Sequence, residues 1–172
     1  MDAATFSQQG SGVRRSSGTK QVEVQLEPMA LADLDAVLAI EQQSFTMPWT
    51  DAMFRSELQN TRTSRLLVAR PGVADGPIVG YIGYRVVLDE MHVILIAVAP
   101  AWRRRGIARQ LLYRAMDQGR GDGCTRATLE VRVSNTPAQQ LYYSLRFAPV
   151  GTRPKYYLRP TEDALILWRD PL

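Results

Sequence analysis

Three arginines and a glycine, Arg103-Arg104-Arg105-Gly106, follow the unbroken apolar run Val93 to Val98 and lead into the helically spaced residues Ile107, Ala108, Leu111, Leu112, Ala115 and Met116. A buried strand that enters a helix through a glycine turn is a place for phosphate. The first amides of a helix have no partner within it and carry the positive end of its dipole. Gly106 lets a pyrophosphate approach the backbone closely, and arginines at the rim add charge. The spacing is neither Gly-x-x-x-x-Gly-Lys-Ser/Thr nor Gly-x-Gly-x-x-Gly, so it departs from the common nucleotide loops. Alone, such a run reads equally as a solvated turn or a nucleic-acid patch.

Four further residues have side chains suited to chemistry. Glu130 sits in the otherwise apolar strand pattern Thr125 to Val133, near its carboxyl end, where ligands bind in sheets of this kind. Tyr142 lies on the stripe Ala138, Leu141, Tyr142, Leu145 of the next helical segment. Taken singly, Glu130 reads as an exposed-face glutamate and Tyr142 as a core tyrosine. As a pair they offer what an acyl transfer needs: a base for an amine proton and an acid for a departing thiolate. His92 is a second candidate base, and Cys124, with no basic cluster near it in sequence, reads as a packed thiol rather than an acyl carrier.

The elements that must position these residues follow from periodicity. Val22, Val24 and Leu26 alternate as in a half-buried strand that Pro28 ends. Leu31, Leu34, Val37, Leu38 and Ile40 repeat helically, and a second short helix spans about 52–58 after the loop Ser44 to Thr50. Strands are expected over 65–70 and 78–88, joined by Pro-Gly and Gly-Pro turns as a hairpin, and over 90–98. The continuous run 93–98 predicts burial on both faces, hence a central strand. The helix opened by Gly106, with Arg109, Gln110 and Arg114 facing away, is stopped by Gly119, Gly121 and Gly123. With the strand at 125–133 it forms a crossover, so the two strands it joins should be parallel. Thr136-Pro137-Ala138-Gln139 reads as a capping box opening a helix through Leu145, and strands near 147–151 and 164–168 follow. The whole is a single α/β domain around a mixed sheet.

Composition sets outer bounds. With 172 residues, 45% of them hydrophobic, the chain suits one globular domain over 21–172. Residues 1–20, rich in Ser, Gly, Gln and Thr, read as a flexible tail. A formal net charge of +4 permits an anionic cofactor or an RNA-associated partner without demanding either. One cysteine excludes an internal disulfide, and one histidine leaves too few soft ligands for structural zinc. With no apolar run of about 20 residues and no signal-peptide core, a soluble cytoplasmic protein is expected.

The motifs together resemble the GNAT acetyltransferases, and within them the branch that modifies the amino-terminal alanine of a ribosomal protein. The resemblance spans about Val22 to Trp168. It rests on Glu41 to Trp49, on Ile96 to Pro100 with the arginine loop, on Leu129 to Asn135 with Leu141-Tyr142, and on Tyr156-Tyr157 followed by Glu162-Asp163-Ala164. It implies a twisted mixed sheet of about seven strands with four helices, and acetyl-CoA lying between two splayed parallel central strands. Backbone groups of Ile96, Ala97 and Val98 would pair with the pantetheine arm. Amides of Arg104, Arg105, Gly106, Ile107, Ala108 and Arg109 would cradle the pyrophosphate, and Asn135 would touch the cofactor. Glu130 takes the place of the general base, acting through water, and Tyr142 that of the proton donor to the thiolate. Pro48, Trp49, Tyr156 and Tyr157 would flank a peptide entrance, and no metal is implied. The implied partner is the amino terminus of the eighteenth small-subunit ribosomal protein, with no nucleic acid or membrane required. A lysine- or small-amine-directed GNAT, or a non-catalytic acetyl-CoA-binding module associated with the ribosome, are the alternatives. Ala108 stands where a second glycine is frequent, Arg146 where a glycine usually precedes Phe147, and Leu95 where asparagine is common.

Overall fold

The computed structural model describes residues 21–72 and 76–172; the tail expected over 1–20 lies outside the described residues. In chain order come β1 (Val24–Pro28), a 3-10 turn (Leu31–Asp33), α1 (Leu34–Ser44), α2 (Asp51–Gln59), β2 (Ser64–Pro71), β3 (Gly80–Val87) and β4 (Glu90–Val98). A second 3-10 turn (Pro100–Trp102) leads to α3 (Ile107–Gly121), β5 (Arg126–Arg132), α4 (Thr136–Ser144), β6 (Ala148–Leu158) and β7 (Thr161–Arg169). The strands form one seven-stranded sheet in the order β1-β2-β3-β4-β5-β7-β6. Only β4 and β5 pair in parallel, and α3 is the crossover between them, as expected of strands joined through a helix.

Alternation in the strands sorts the core into two layers. Leu67 and Ala69 of β2 and Ile82 and Tyr84 of β3 pack with Ile107, Leu111, Leu112, Ala115 and Met116 of α3. Leu66, Val68 and Tyr81 pack on the other face with Leu34, Val37 and Ile40 of α1 and Phe54 of α2. β4 serves both layers through a bulge. Gly83 pairs with Leu95 but Tyr84 with Val93, which leaves Ile94 as an extra residue. Met91 and Val93 therefore face the α3 layer, whereas Leu95 and Ala97 face α1 and α2. An inserted residue shifts the two-residue period by one, so the predicted burial on both faces is reached by a bulge.

Two local expectations are corrected. α4 is capped by Asn135 rather than Thr136: the Asn135 carboxamide oxygen accepts from the Ala138 amide at 3.2 Å, and Pro137 occupies the second helical position. Asparagine outranks threonine as a cap, and a first-turn proline has no amide to waste. Gln139, which should have closed the box, donates instead to the carbonyls of Arg132 and Val133 at 3.0 and 2.8 Å. Gln110 does not face away. Its amide donates to the Val22 carbonyl at 2.7 Å and its oxygen accepts from the Val24 amide at 3.3 Å, so it holds the first strand to α3 as another strand would.

The last turn of α4 closes with the Phe147 amide donating to the Tyr142 carbonyl at 3.1 Å and the Arg146 amide to that of Tyr143 at 3.0 Å. This closure requires a left-handed residue between helix and strand, and Arg146 adopts φ 65° there. A side chain with a Cβ is strained in that region, and Arg146 is exposed. Arg146→Gly is expected to stabilise the fold by about 1 kcal/mol, read as a higher urea midpoint at unchanged slope.

Candidate active site

Pairing between β4 and β5 runs from Glu90 opposite Arg126 to Val93 opposite Leu129 and stops there. Beyond that point Leu95 to Val98 remain paired to β3, and Glu130 to Arg132 to β7. The two central strands diverge at the bulged residue Ile94, which bends β4 where the parallel ladder ends. An edge of β4 carrying Ile96, Ala97 and Val98 is thus left open in the middle of the sheet, a place where an extended ligand can add hydrogen bonds as a strand does. The Val98 carbonyl is already engaged by the Arg103 guanidinium at 2.9 Å.

Beside this edge opens a groove of about 380 Å³, lined by Val98, Trp102 to Arg104, Gly106 to Arg109 and, from α4, Pro137, Gln140, Leu141 and Ser144. α3 is preceded by Gly106 at its cap position with no side-chain cap, so among the described residues its first amides are unclaimed. Arg104 and Gly106 both take left-handed backbone, φ 64° and 79°. A Cβ on Gly106 would lie 3.1 Å from the Gln21 side chain, so glycine is favoured there chiefly by its backbone angle. Arg105 stacks over Trp102 at 5.0 Å, and Arg109 reaches across the groove to the Ser144 hydroxyl at 3.0 Å. Arg103 donates at 3.1 Å to Ser44 as well, tying the end of α1 to the end of β4 rather than facing the groove's helix start. Open amides, a positive helix end and an open strand edge fit a pyrophosphate joined to an amide-bearing arm. Asn135 lies outside the groove lining, at the head of α4.

Glu130 stands just past the point where β4 and β5 part, with its carboxylate 3.3 Å from Arg153 of β6. Tyr157 of β6 places its hydroxyl 3.4 Å from the Glu130 carbonyl. Arg132, two residues on, lies 4.1 Å from the Tyr157 ring and pairs with Glu162 at 3.1 Å. Tyr142 is buried and packs edge-on to Phe147 at 5.9 Å. Burial raises its hydroxyl pKa and, less strongly, so does Tyr157; burial likewise pushes Tyr157 up to about 12. Both phenols therefore hold their protons at neutral pH.

The loop between α1 and α2 meets the turn between β6 and β7. The Thr46 hydroxyl donates to the Arg159 carbonyl at 2.5 Å, and Arg132 donates to the carbonyls of Arg159 and Pro160, each at 3.2 Å. Pro48 and Tyr156 are exposed, whereas the Trp49 ring packs on Phe54 at 5.5 Å and Phe54 on Tyr81 at 5.8 Å. Tyr156 and Tyr157 stand perpendicular at 5.1 Å. Under the loop, buried Glu41 accepts from the Trp49 amide at 2.8 Å through one oxygen and contacts the Tyr81 hydroxyl through the other. Burial pushes the Glu41 carboxyl up to about 7, against the lowering effect of the Trp49 amide.

Sequence periodicity could not find Arg132, Arg153 or the Thr46 to Arg159 contact, because each is defined by a partner far along the chain. Glu41 carried a signal, a charged residue on the apolar stripe of α1. His92 pairs with Glu90 at 2.8 Å, opposite Thr128 on the closed part of the ladder. Cys124 is buried with its thiol pKa raised, chiefly by burial. Among the described residues no group of His, Cys, Asp and Glu is arranged to hold a metal, and no helix is long and apolar enough to cross a membrane.

Residues 34–147 match the acetyltransferase (GNAT) family. A [ribosomal protein bS18]-alanine N-acetyltransferase of Salmonella typhimurium is 36% identical over 143 residues, 81% of this chain and 92% of that protein. That of Escherichia coli K12 is 34% identical over 146 residues, 83% of this chain and 94% of its own. The crystal structure of the ribosomal-protein-S18-alanine N-acetyltransferase from Escherichia coli superposes with a TM-score of 0.77 at 30% identity, covering 87% of this chain and 94% of that one. With its open central strand edge and unclaimed helix amides, this chain belongs to the GNAT family and is an acetyl-CoA-dependent N-acetyltransferase.

Proposed function

We propose that this enzyme acetylates the α-amine at the amino terminus of a protein, and that its substrate is the amino-terminal alanine of ribosomal protein bS18, the substrate in the names of its relatives. The observation that carries this reading is the bridge from Thr46 to Arg159. It joins the α1–α2 loop to the β6–β7 turn, which Arg132 of β5, two residues past Glu130, also pins; in this reading the joined loops make the acceptor enter end-on, which suits a chain terminus better than a lysine on a continuous chain.

Acetyl-CoA supplies the activated acyl group as a thioester. The amides at the head of α3 and the edge of β4 bind and orient the donor. Glu130 takes the proton from the amine through a water molecule, and Arg153 holds its carboxylate in place. A free α-amine, with a pKa near about 7.8, is roughly a tenth or more neutral at pH 7, whereas lysine is below about a thousandth, so a modest base suffices. The neutral amine attacks the thioester carbon directly once the two are held in near-attack geometry. As the carbon–sulfur bond breaks, Tyr142 gives a proton to the sulfur. Pro48, Trp49, Tyr156 and Tyr157 flank the entrance; Asn135 contributes a contact to the donor from the head of α4.

Mass spectrometry of peptides incubated with enzyme and acetyl-CoA is expected to show an acetyl group on an alanine-initiated bS18 peptide. None is expected on the same peptide blocked at its amino terminus or on an internal lysine. Acetylation of the lysine control alone would refute the terminal-amine reading. Glu130→Gln and Tyr142→Phe are each expected to lower kcat by about 10²- to 10⁴-fold, the usual contribution of general acid–base catalysis, with the acetyl-CoA dissociation constant little changed. Activity that persists in both variants would remove the assigned roles.

A further inference from the structure

Among the described residues the buried carboxylates are Asp33, Glu41 and Glu57. Asp33 is met by Arg70 at 2.5 Å, and Glu57 by Arg85 with the Ser64 hydroxyl. Glu41, only 1% exposed, is met by no cation among the described residues, although a buried carboxylate without a counter-charge is costly. From β3 it faces the Tyr81 hydroxyl, and from the loop the Trp49 amide. The nearby charges are spent elsewhere: Arg103 on Ser44 and Val98, Arg55 of α2 on Asp51, and Glu57 on Arg85. Nothing in core packing calls for a carboxylate here, since Trp49, Phe54 and Tyr81 already form a continuous aromatic stack.

What the carboxylate joins is informative. Trp49 belongs to the loop over the acceptor entrance. Tyr81 lies on β3 directly opposite Ala97, in the stretch of β4 whose other edge is open. Two hydrogen bonds from one side chain therefore link the acceptor loop to the strand that borders the donor. We propose that Glu41 is a positioning residue for acetyl transfer: its carboxylate clamps the α1–α2 loop onto β3, holding the acceptor entrance in register with the donor-binding edge of β4. It touches neither substrate, and it rests on the reading that this loop lines the acceptor entrance. Acyl transfer is sensitive to such placement, because a misplacement of about 1 Å can cost about 100-fold in rate.

Ionised, Glu41 accepts both hydrogen bonds with charge assistance; protonated, it resembles a glutamine, which accepts from Trp49 and donates to Tyr81. Its raised carboxyl, at about 7, places the change of state within the working pH range. Because the folded-state value lies above the ordinary 4.5, this group's contribution to stability is present below 4.5 and is lost as pH rises through 7.

The test measures peptide KM, acetyl-CoA KM and kcat for wild type, Glu41→Gln and Glu41→Ala from pH 6 to 8. It uses the amine that the wild-type enzyme is found to acetylate. In Glu41→Ala, peptide kcat/KM is expected to fall at least tenfold with acetyl-CoA KM within twofold. In Glu41→Gln, kcat/KM for peptide should match wild type at pH 6 and fall about threefold or more below it at pH 8. The ratio of the two enzymes cancels the titration of the substrate amine. A folded Glu41→Ala with unchanged peptide kinetics, or a Gln-to-wild-type ratio that is flat with pH, overturns the proposal; if the alanine variant does not fold, the glutamine series decides alone. Failure of the terminal-amine reading shows separately, as wild-type acetylation of lysine or a small amine only, and the Glu41 series is then read with that acceptor.

Discussion

The parting of β4 from β5 after Val93 and Leu129 is the constraint on which the rest of this molecule depends. A parallel pair in the middle of a sheet normally satisfies its backbone along its full length, because unpaired amides and carbonyls that are buried are expensive. Here the ladder is abandoned over the carboxyl halves of both strands, and each relies on its outer neighbour, β3 or β7, for support. The bulge at Ile94 makes this possible by bending β4 and by moving its buried side chains from one layer to the other. The gap so formed is continuous with the uncapped start of α3. In the proposed mode of binding, an extended donor bearing amides and a pyrophosphate would satisfy both sets of groups at once.

The side proposed for the acceptor is built by a different means. No regular element covers it; a loop and a turn are held by side chains that reach across long stretches of chain. Arg132 pins the β6–β7 turn from β5, Thr46 joins that turn to the α1–α2 loop, and Arg103 fastens the end of α1 to the end of β4. Arg132 is further fixed by Glu162 and by the Tyr157 ring, so its geometry does not depend on a single exposed ion pair, which would contribute little. The helix end and strand edge are thus built from regular elements, whereas the loop and turn are set by a few polar contacts.

Much of the fold and part of the site were legible in the residues themselves. The amphipathic period of α3, the apolar run of β4 and the glycine between them placed the strand, the turn and the helix start, because strand and helix periods are local and the left-handed glycine follows from the turn. The left-handed residue at Arg146 falls where the resemblance marks a usual glycine. The cap of α4 was misplaced by one residue because Asn135 and Thr136 are both capping types, and only the amide each could reach distinguishes them. Gln110 was assigned to solvent because periodicity describes a helix alone and carries no word of a strand 86 positions away that needs backbone partners.

The amino-acid sequence by itself determined the order of elements, the parallel crossover through α3, and the candidates Glu130 and Tyr142, since all of these follow from local period, turn chemistry and chain connectivity. Only the tertiary structure decided where the central ladder stops, that Arg103 serves the sheet while Arg109 crosses the groove, and that Arg153 stands against Glu130. It alone decided that Glu41 lies buried beneath the α1–α2 loop, met by no cation among the described residues. These features arise between residues distant in the chain, where burial and geometry, rather than residue type, set what each side chain meets.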